Sequence, residues 1–314
     1  MPAVRYLLLC ALTAASTFGE SRPRPRPDHA TADLAAAPSS VRRPLPFFYD
    51  LYTFRGREGR TAIVTSYAVD AGDLETETVD GRVRYRFSVT LVLADAARRS
   101  VWGTHDTVHV DVPRALPSGH LLYTHVEVLA PPSRTTQQRV IMTDATEPGI
   151  GQLYRESYPI PDYSGSELML SDVALGQPEA SGSGWRRGDV SLALLPTSQF
   201  PSSTFDVFYE IYNLPAGHAY TTEIAIEEIG RPGRAVRTRP IRLSFAGEAG
   251  AGVSGALPEL RRVETSLRKG SYRITVTITD RVTGATASRS RTFDVRGSGR
   301  GTTMVAALPD RNGG

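Results

Sequence analysis

The sequence has almost no cysteine and almost no lysine. Cys10 is the one cysteine and Lys269 the one lysine, so the basic side chains are nearly all arginine. A single cysteine forms no disulfide framework, and if Cys10 is removed with an N-terminal signal the mature chain also offers no thiol chemistry. The arginines are scattered and balanced by acidic residues, which leaves a net charge of only +3. Because no basic stripe interleaved with aromatics is present, the composition argues against a nucleic-acid-binding protein.

Long hydrophobic runs are also missing from the N-terminal region. The apolar run Tyr6–Ala15 covers about ten residues, well short of the ~20 that a membrane-spanning helix needs. It follows Arg5 and precedes several small residues, a pattern typical of a secretory signal peptide. We therefore predict a signal peptide over residues 1–19, a periplasmic or extracellular protein, and no transmembrane segment. Lipid attachment at Cys10 is not expected, because a leucine stands where a lipobox has a small residue.

Proline and glycine mark segments without a strand pattern. The repeat Arg22–Pro27 alternates arginine with proline, and proline has no backbone donor and restricts the residue before it. We predict a disordered linker over residues 20–46 and, from the glycine-rich polar sequence, a disordered tail over 297–314. Cutting at the flexible run Ser181–Gly184 divides the remaining chain into two strand-rich blocks. The domains predicted from this division are residues 47–180 and 185–296.

Alternation of apolar and polar residues runs through both blocks. It is clearest over Val83–Leu93 and Tyr272–Ile278, and a period of two marks strands with one buried and one solvated face. Further strands are predicted at Thr61–Val69, Thr107–Val112, Leu121–Leu129, Val140–Thr143, Val190–Leu195, Thr204–Tyr212, Tyr220–Ile229, Ile241–Phe245 and Arg291–Val295. No window has helical periodicity. The predicted fold class is therefore all-β, with two antiparallel, immunoglobulin-like β-sandwich domains in tandem.

Short stretches of the two blocks echo each other. Phe48–Tyr52 near the start of the first block is similar to Phe208–Tyr212 in the second, and Ile141–Asp144 is similar to Ile278–Asp280. The spacing between the two echoes differs from block to block. A diverged duplication and a convergent β-strand composition both account for them.

One histidine-rich stretch has the residue types of a metal site. If Thr107–Val112 and Leu121–Leu129 form a hairpin, His109 lies opposite His125, and directly opposed Cβ atoms are ~5 Å apart. Asp111 or Glu127 could then complete a site for a divalent ion. The alternative is two exposed histidines, in different sheets if the chain crosses over.

Signatures of known catalytic machinery are missing, since the sequence has no serine-hydrolase elbow, zinc-protease helix or phosphate-binding glycine loop. We therefore expect no enzyme activity and no cofactor. Aromatic residues cluster where the first domain begins. They suggest either a platform on which sugars stack or packing between the domains, and they are Phe47, Phe48, Tyr49, Tyr52 and Phe54.

Three stretches resemble the β-domains of bacterial GWxTD-domain-containing proteins. They are Pro161–Gly165, Leu168–Val173 and Phe208–Asn213, and the resemblance covers roughly residues 46–295. The Gly-Trp-x-Thr-Asp motif itself is missing, and Val101–Asp106 contains similar residues in a different order. The resemblance implies a β-fold and a location in the cell envelope, and it carries no activity.

These observations favour a non-catalytic structural or protein-interaction module of the bacterial cell envelope. Its expected partners are other envelope proteins. The alternative is a carbohydrate-binding accessory protein that holds glycans on the aromatic platform near Phe47–Phe54.

Overall fold

The computed structural model describes residues 44–95, 99–147, 151–178, 184–197, 200, 204–230, 239–250 and 255–295, with two short strands at 304–306 and 308–309. For residues 151–156 and the two short strands, the description is limited to the backbone. Within these ranges the one helical element is the short 3-10 helix Ala71–Asp73, and no helix is long and apolar enough to cross a membrane. The predicted signal peptide and nearly all of the predicted linker lie outside the described residues.

Eight strands form most of the first sandwich. They are β1 (Phe47–Arg55), β2 (Thr61–Asp70), β3 (Thr76–Val79), β4 (Arg82–Asp95), β5 (Val101–Val112), β6 (Leu121–Ala130), β7 (Ser133–Asp144) and β8 (Gly151–Ile160).

The second sandwich contains β9 (Met169–Leu170), β10 (Ala174–Pro178), β11 (Trp185–Arg187), β12 (Val190–Leu194), β13 (Thr204–Tyr212), β14 (Ala219–Glu228), β15 (Ile241–Glu248), β16 (Ala256–Glu264), β17 (Gly270–Asp280) and β18 (Thr286–Val295). The last two strands are β19 (Met304–Ala306) and β20 (Leu308–Pro309).

Each sandwich has an inner sheet and an outer sheet. In the first sandwich, inner sheet 1 has the order β1-β2-β6-β19, and outer sheet 1 has the order β20-β5-β4-β7-β8 with β3 beside β4. In the second, inner sheet 2 has the order β11-β12-β10-β13-β16 with β9 beside β13, and outer sheet 2 has the order β15-β14-β17-β18. Neighbouring strands are antiparallel except β19, which is parallel to β6. The prediction of an all-β fold with antiparallel sandwiches is confirmed.

The two sandwiches share one topology. Strands β10, β13 and β16 are paired as β1, β2 and β6 are, and the order β15-β14-β17-β18 repeats β5-β4-β7-β8. Of the two sequence echoes, Asp144 and Asp280 occupy equivalent places, since Asp144 ends β7 and Asp280 ends β17, its counterpart in outer sheet 2. The similar segments Phe48–Tyr52 and Phe208–Tyr212 do not occupy equivalent positions. The first lies on β1, whereas the second lies on β13, which is the counterpart of β2.

Each sandwich has its own core between its two sheets. The alternating residues of β4 from Tyr85 to Leu93 are buried in the first core, and those of β17 from Tyr272 to Ile278 are buried in the second. This confirms the predicted face of both strands.

A third core lies between the two inner sheets. Tyr52, Phe54 and Val64 of inner sheet 1 pack against Trp185 and Phe208 of inner sheet 2. The four sheets are therefore stacked, and both inner sheets are covered on both faces. This explains why β2 and β13 are buried along almost their whole length, since strands covered on both faces lose the alternating pattern.

Two of the predicted segment boundaries differ from the strand pairing. Ala174–Pro178 was assigned to the first domain, but it pairs with β13 and β12 of the second sandwich. The 297–314 tail was expected to be disordered, but Met304–Ala306 pairs with β6 and Leu308–Pro309 pairs with β5. The edges of a sandwich offer unpaired backbone groups, and a short extended segment can satisfy them whatever the composition around it.

Candidate functional site

The predicted metal ligands are not brought together. His109 lies on β5 of outer sheet 1, opposite Arg86 and Leu308, whereas His125 lies on β6 of inner sheet 1, opposite Ser66. Val108 and Val126, their neighbours in sequence, both point into the first core. Because side chains alternate along a strand, the two histidines point away from each other on opposite sides of the sandwich.

The prediction of a hairpin that pairs these histidines is therefore wrong, although the turn between the two strands was predicted correctly. Gly119 has a φ of 93°, and the His120 amide donates to the Pro117 carbonyl oxygen at 3.3 Å. The chain uses this turn to cross from the outer sheet to the inner sheet. Among the described residues, no group of three or more His, Cys, Asp or Glu side chains could hold a metal ion.

The two acidic residues of the predicted site are also separated from each other. Asp111 accepts two hydrogen bonds from Arg84, from Nε at 2.7 Å and from Nη2 at 2.8 Å. These bonds hold the pKa of Asp111 below its ordinary value. His109 Nε2 is 4.0 Å from Asp111 Oδ2. Asp111 is thus part of a cross-strand ion pair on outer sheet 1, and Glu127 lies on a different sheet.

His125 and Glu127 instead line a cleft beside the interface between the sandwiches. The cleft has a volume of about 500 Å³ and is lined by Thr104–Asp106 of β5, His125–Glu127 of β6 and Gly184–Arg186. It therefore lies between one strand of each sheet of the first sandwich and the edge strand β11 of the second. Sequence reasoning found two of its residues but assigned them to the wrong arrangement.

Two side chains with polar groups, the partly buried His125 and the buried Trp185, line the cleft. Burial lowers the pKa of His125 to about 4, so its imidazole is neutral near pH 7. Trp185 is only 2% exposed, and its ring stacks on Phe54 at 5.0 Å between centroids. The indole Nε1 of Trp185 has no hydrogen-bond partner among the described residues. A buried N–H without an acceptor costs free energy, and such groups call for an explanation.

A second polar cluster joins the sandwiches at the opposite edge of inner sheet 1. Arg291 of β18 donates to Asp50 Oδ1 at 2.7 Å and to the Leu51 carbonyl oxygen at 2.7 Å. Its Nη2 is 3.6 Å from Asp172 Oδ2, and its guanidinium lies over the Tyr52 ring at 4.2 Å. Burial alone would lower the pKa of Arg291, but the neighbouring carboxylates, Asp50 foremost, raise it above its ordinary value.

A third cluster lies at the other end of β1. Arg187 donates to both carboxylate oxygens of Glu210, at 2.7 and 2.8 Å, and to the Arg55 carbonyl oxygen at 2.6 Å. The Tyr212 hydroxyl donates to Glu210 Oε2 at 2.6 Å and accepts from the Arg55 amide at 2.7 Å. Sequence analysis missed Asp50 and Glu210, although each is a carboxylate inside a strongly apolar strand, which was the available signal.

The aromatic cluster of β1 is used for packing. Phe47 lies in the first core, and Tyr52 and Phe54 lie in the third core with 0% exposure. The Tyr52 hydroxyl also donates to the Leu195 carbonyl oxygen at 2.6 Å. A ring that stacks on sugars must present a face to solvent, and these three rings do not. For Tyr52 and Phe54, contact between the domains is the interpretation that fits.

Comparison with known proteins shows no family for this chain. No family model and no curated protein matches the sequence. Similar solved structures include a β-glucuronidase of Bacteroides uniformis, at 8% identity over 74% of this chain and 26% of that one, with a TM-score of 0.25. Red sea bream transglutaminase is similar at 12% identity over 79% of this chain and 31% of that one, with a TM-score of 0.21. The chain thus spans about a quarter to a third of these proteins, and a likeness of this size does not extend to their activities.

Proposed function

We propose that the protein is an exported, non-catalytic structural or protein-interaction module of the bacterial cell envelope. The observation that carries the proposal is the stacking of the two inner sheets, which joins the sandwiches into one body. A body of this kind can hold surfaces at fixed distances from each other, which is what a structural module needs. The signal-like N-terminus and the resemblance to the β-domains of GWxTD-domain-containing proteins support the envelope location.

The interface is built to resist opening. Tyr52, Phe54 and Phe208 are each 0% exposed, and burying a large apolar side chain contributes about 1.5–3 kcal/mol. The charged clusters also require that the two sandwiches keep one relative position. If the sandwiches shifted, Arg291 and Asp50 would be left without each other in a poorly solvated interface, and an unpaired buried charge is strongly unfavourable.

The outward face of outer sheet 2 has the character of a scaffold surface. Thr275 and Ser290 are hydrogen-bonded across β17 and β18 at 2.8 Å, and Thr277 and Ser288 are bonded in the same way at 3.1 Å. Short hydroxyl side chains that bond to each other make this face polar. Cross-strand pairs of this type also stabilise the sheet.

The test is made in the bacterium that encodes the protein. We expect fractionation to recover it in the envelope without residues 1–19, and photo-crosslinking from surface positions to attach it to defined envelope proteins. Recovery of the full-length chain from the cytosol, or of an uncrosslinked monomer from every position, would contradict the proposal. Hydrolysis of purified envelope polymers by the protein would also contradict the proposal, provided that Glu127→Gln abolished this activity.

A further inference from the structure

The first sandwich has a gap at one edge that the chain itself fills only in part. The gap lies between β5 of the outer sheet and β6 of the inner sheet, which are the last long strands of their sheets on this side. In this gap β19 pairs with β6 over Leu121–Tyr123, and β20 pairs with β5 over Val108–His109. Residues 124–130 of β6 pair with β2 alone among the described strands.

The cleft continues this gap. It is lined by Thr104–Asp106 of β5, which precede the segment paired with β20, and by His125–Glu127 of β6, which follow the segment paired with β19. Its third wall comes from Trp185 and Arg186 of β11, which is the edge strand of inner sheet 2. Three strand edges therefore meet at one opening, and β19 shows that the edge of β6 accepts an added strand.

We propose that this cleft binds an extended polypeptide segment of a partner protein, which adds a strand to β6 beyond the end of β19. The inference rests on the proposed function, because it identifies how the module holds its partner. Strand addition is a recurring mode of peptide recognition, in which backbone hydrogen bonds supply affinity and side-chain contacts supply specificity.

The chemistry of the cleft fits a peptide. His125 stays neutral at pH 7 and so repels neither charged nor uncharged segments. Glu127 presents an exposed carboxylate at the opening. A segment carrying lysine or arginine therefore fits better than an acidic one.

The other occupants fit less well. A small polar ligand would leave the backbone groups of β6 unmatched. The remaining alternative is the chain's own residues 310–314, which a truncation after Pro309 removes.

The probe is a lysine-containing decapeptide selected from a random display library on the full chain. We expect its binding to protect backbone amides of β6 within residues 124–130 from hydrogen exchange. Glu127→Arg should weaken binding at least tenfold, and Arg273→Glu on the outward face of outer sheet 2 should leave it unchanged. A decapeptide with a central proline should not bind, because proline removes a backbone donor.

Three outcomes would overturn the inference. They are a library without binders, binders that protect amides away from β5 and β6, and binding that begins only after truncation at Pro309, which would make residues 310–314 the occupant. The proposed function is tested separately. If Glu127→Arg leaves the crosslinks to envelope proteins intact, the partner docks elsewhere and this inference fails while the function stands. If no position crosslinks at all, the proposed function itself fails.

Discussion

Arg291 and Asp50 lie on different sandwiches and are joined by a hydrogen bond of 2.7 Å between Nη1 and Oδ1. The two side chains are 14% and 18% exposed, and 240 residues of chain separate Arg291 from Leu51, whose carbonyl oxygen it also contacts. The pair thus connects the last long strand of the second sandwich to the first strand of the first. It fixes the relative position of sheets that the chain itself links only through distant segments.

Removing this arginine should destabilise the whole molecule. We expect Arg291→Ala to lower the free energy of unfolding by about 3 kcal/mol, because it leaves the Asp50 carboxylate poorly solvated and without its ion-pair partner. Arg273 is an exposed arginine on the neighbouring strand, and Arg273→Ala should change the free energy of unfolding by about 0.5 kcal/mol or less. The measurement is urea unfolding followed by tryptophan fluorescence. Equal effects of the two substitutions would mean that the pair does not hold the interface.

Cleavage of the backbone between the two predicted domains should not separate them. The run Ser181–Gly184, where the sequence suggested a boundary, lies after β10, which is already paired with β13. Insertion of a protease site at Gly182 should therefore give two fragments that elute together on gel filtration and separate only in denaturant. Fragments that part under native conditions would show that the third core is too weak to join the sandwiches.

The alternating face of β17 gives a matched pair of substitutions. Ile274 is 0% exposed in the second core, so Ile274→Ala should lower the free energy of unfolding by about 2–5 kcal/mol through lost burial and a cavity. Thr275, its neighbour, lies on the outward face, where it bonds to Ser290. Thr275→Ala should cost about 0.5 kcal/mol. If both variants unfolded at the same urea concentration, the register of β17 would be wrong.

The two alternating strands show which features of the fold the sequence predicts. Alternation within Val83–Leu93 and Tyr272–Ile278 predicts each buried face correctly, since that pattern depends on one strand at a time. It does not reveal which strands are neighbours. The valines beside His109 and His125 face the core both in a hairpin and in a crossover between sheets, so the metal hypothesis could not be decided. The unbroken apolar run Leu121–Tyr123 was the available sign that β6 is covered on both faces.

The third core and the tail were harder to predict for a related reason. Tyr52 and Phe54 are buried by residues more than a hundred positions away, such as Trp185, and no local pattern encodes that contact. The tail strands depend on two edges that exist only after the first sandwich has folded. Aromatic residues at both even and odd positions of β1 were a local sign that this strand has a second covered face.

The tail should protect the edge that it covers. Truncation after Val295 removes β19 and β20, and it exposes unpaired backbone groups on β5 and β6. We expect a loss of about 2 kcal/mol in stability, given about 0.5–1.5 kcal/mol per hydrogen bond, and an increased tendency to self-associate through the open edges. Truncation after Pro309 keeps both strands and is the control. Light scattering and urea unfolding measure the two effects, and a truncated chain that behaved like the control would deny the tail this role.

The buried histidine of the cleft should make stability depend on pH. Burial lowers the pKa of His125 from 6.5 to about 4, so between these values the unfolded chain binds the proton and the folded chain does not. The contribution of His125 is therefore complete above about pH 6.5 and is lost as the pH falls towards 4. Allowing for partial exposure of the ring, we expect the loss to be roughly 2 kcal/mol. His125→Gln should flatten this part of the stability profile, whereas His120→Gln, a substitution in the turn before β6, should leave it unchanged. A profile that kept its full slope in His125→Gln would place the titrating group elsewhere.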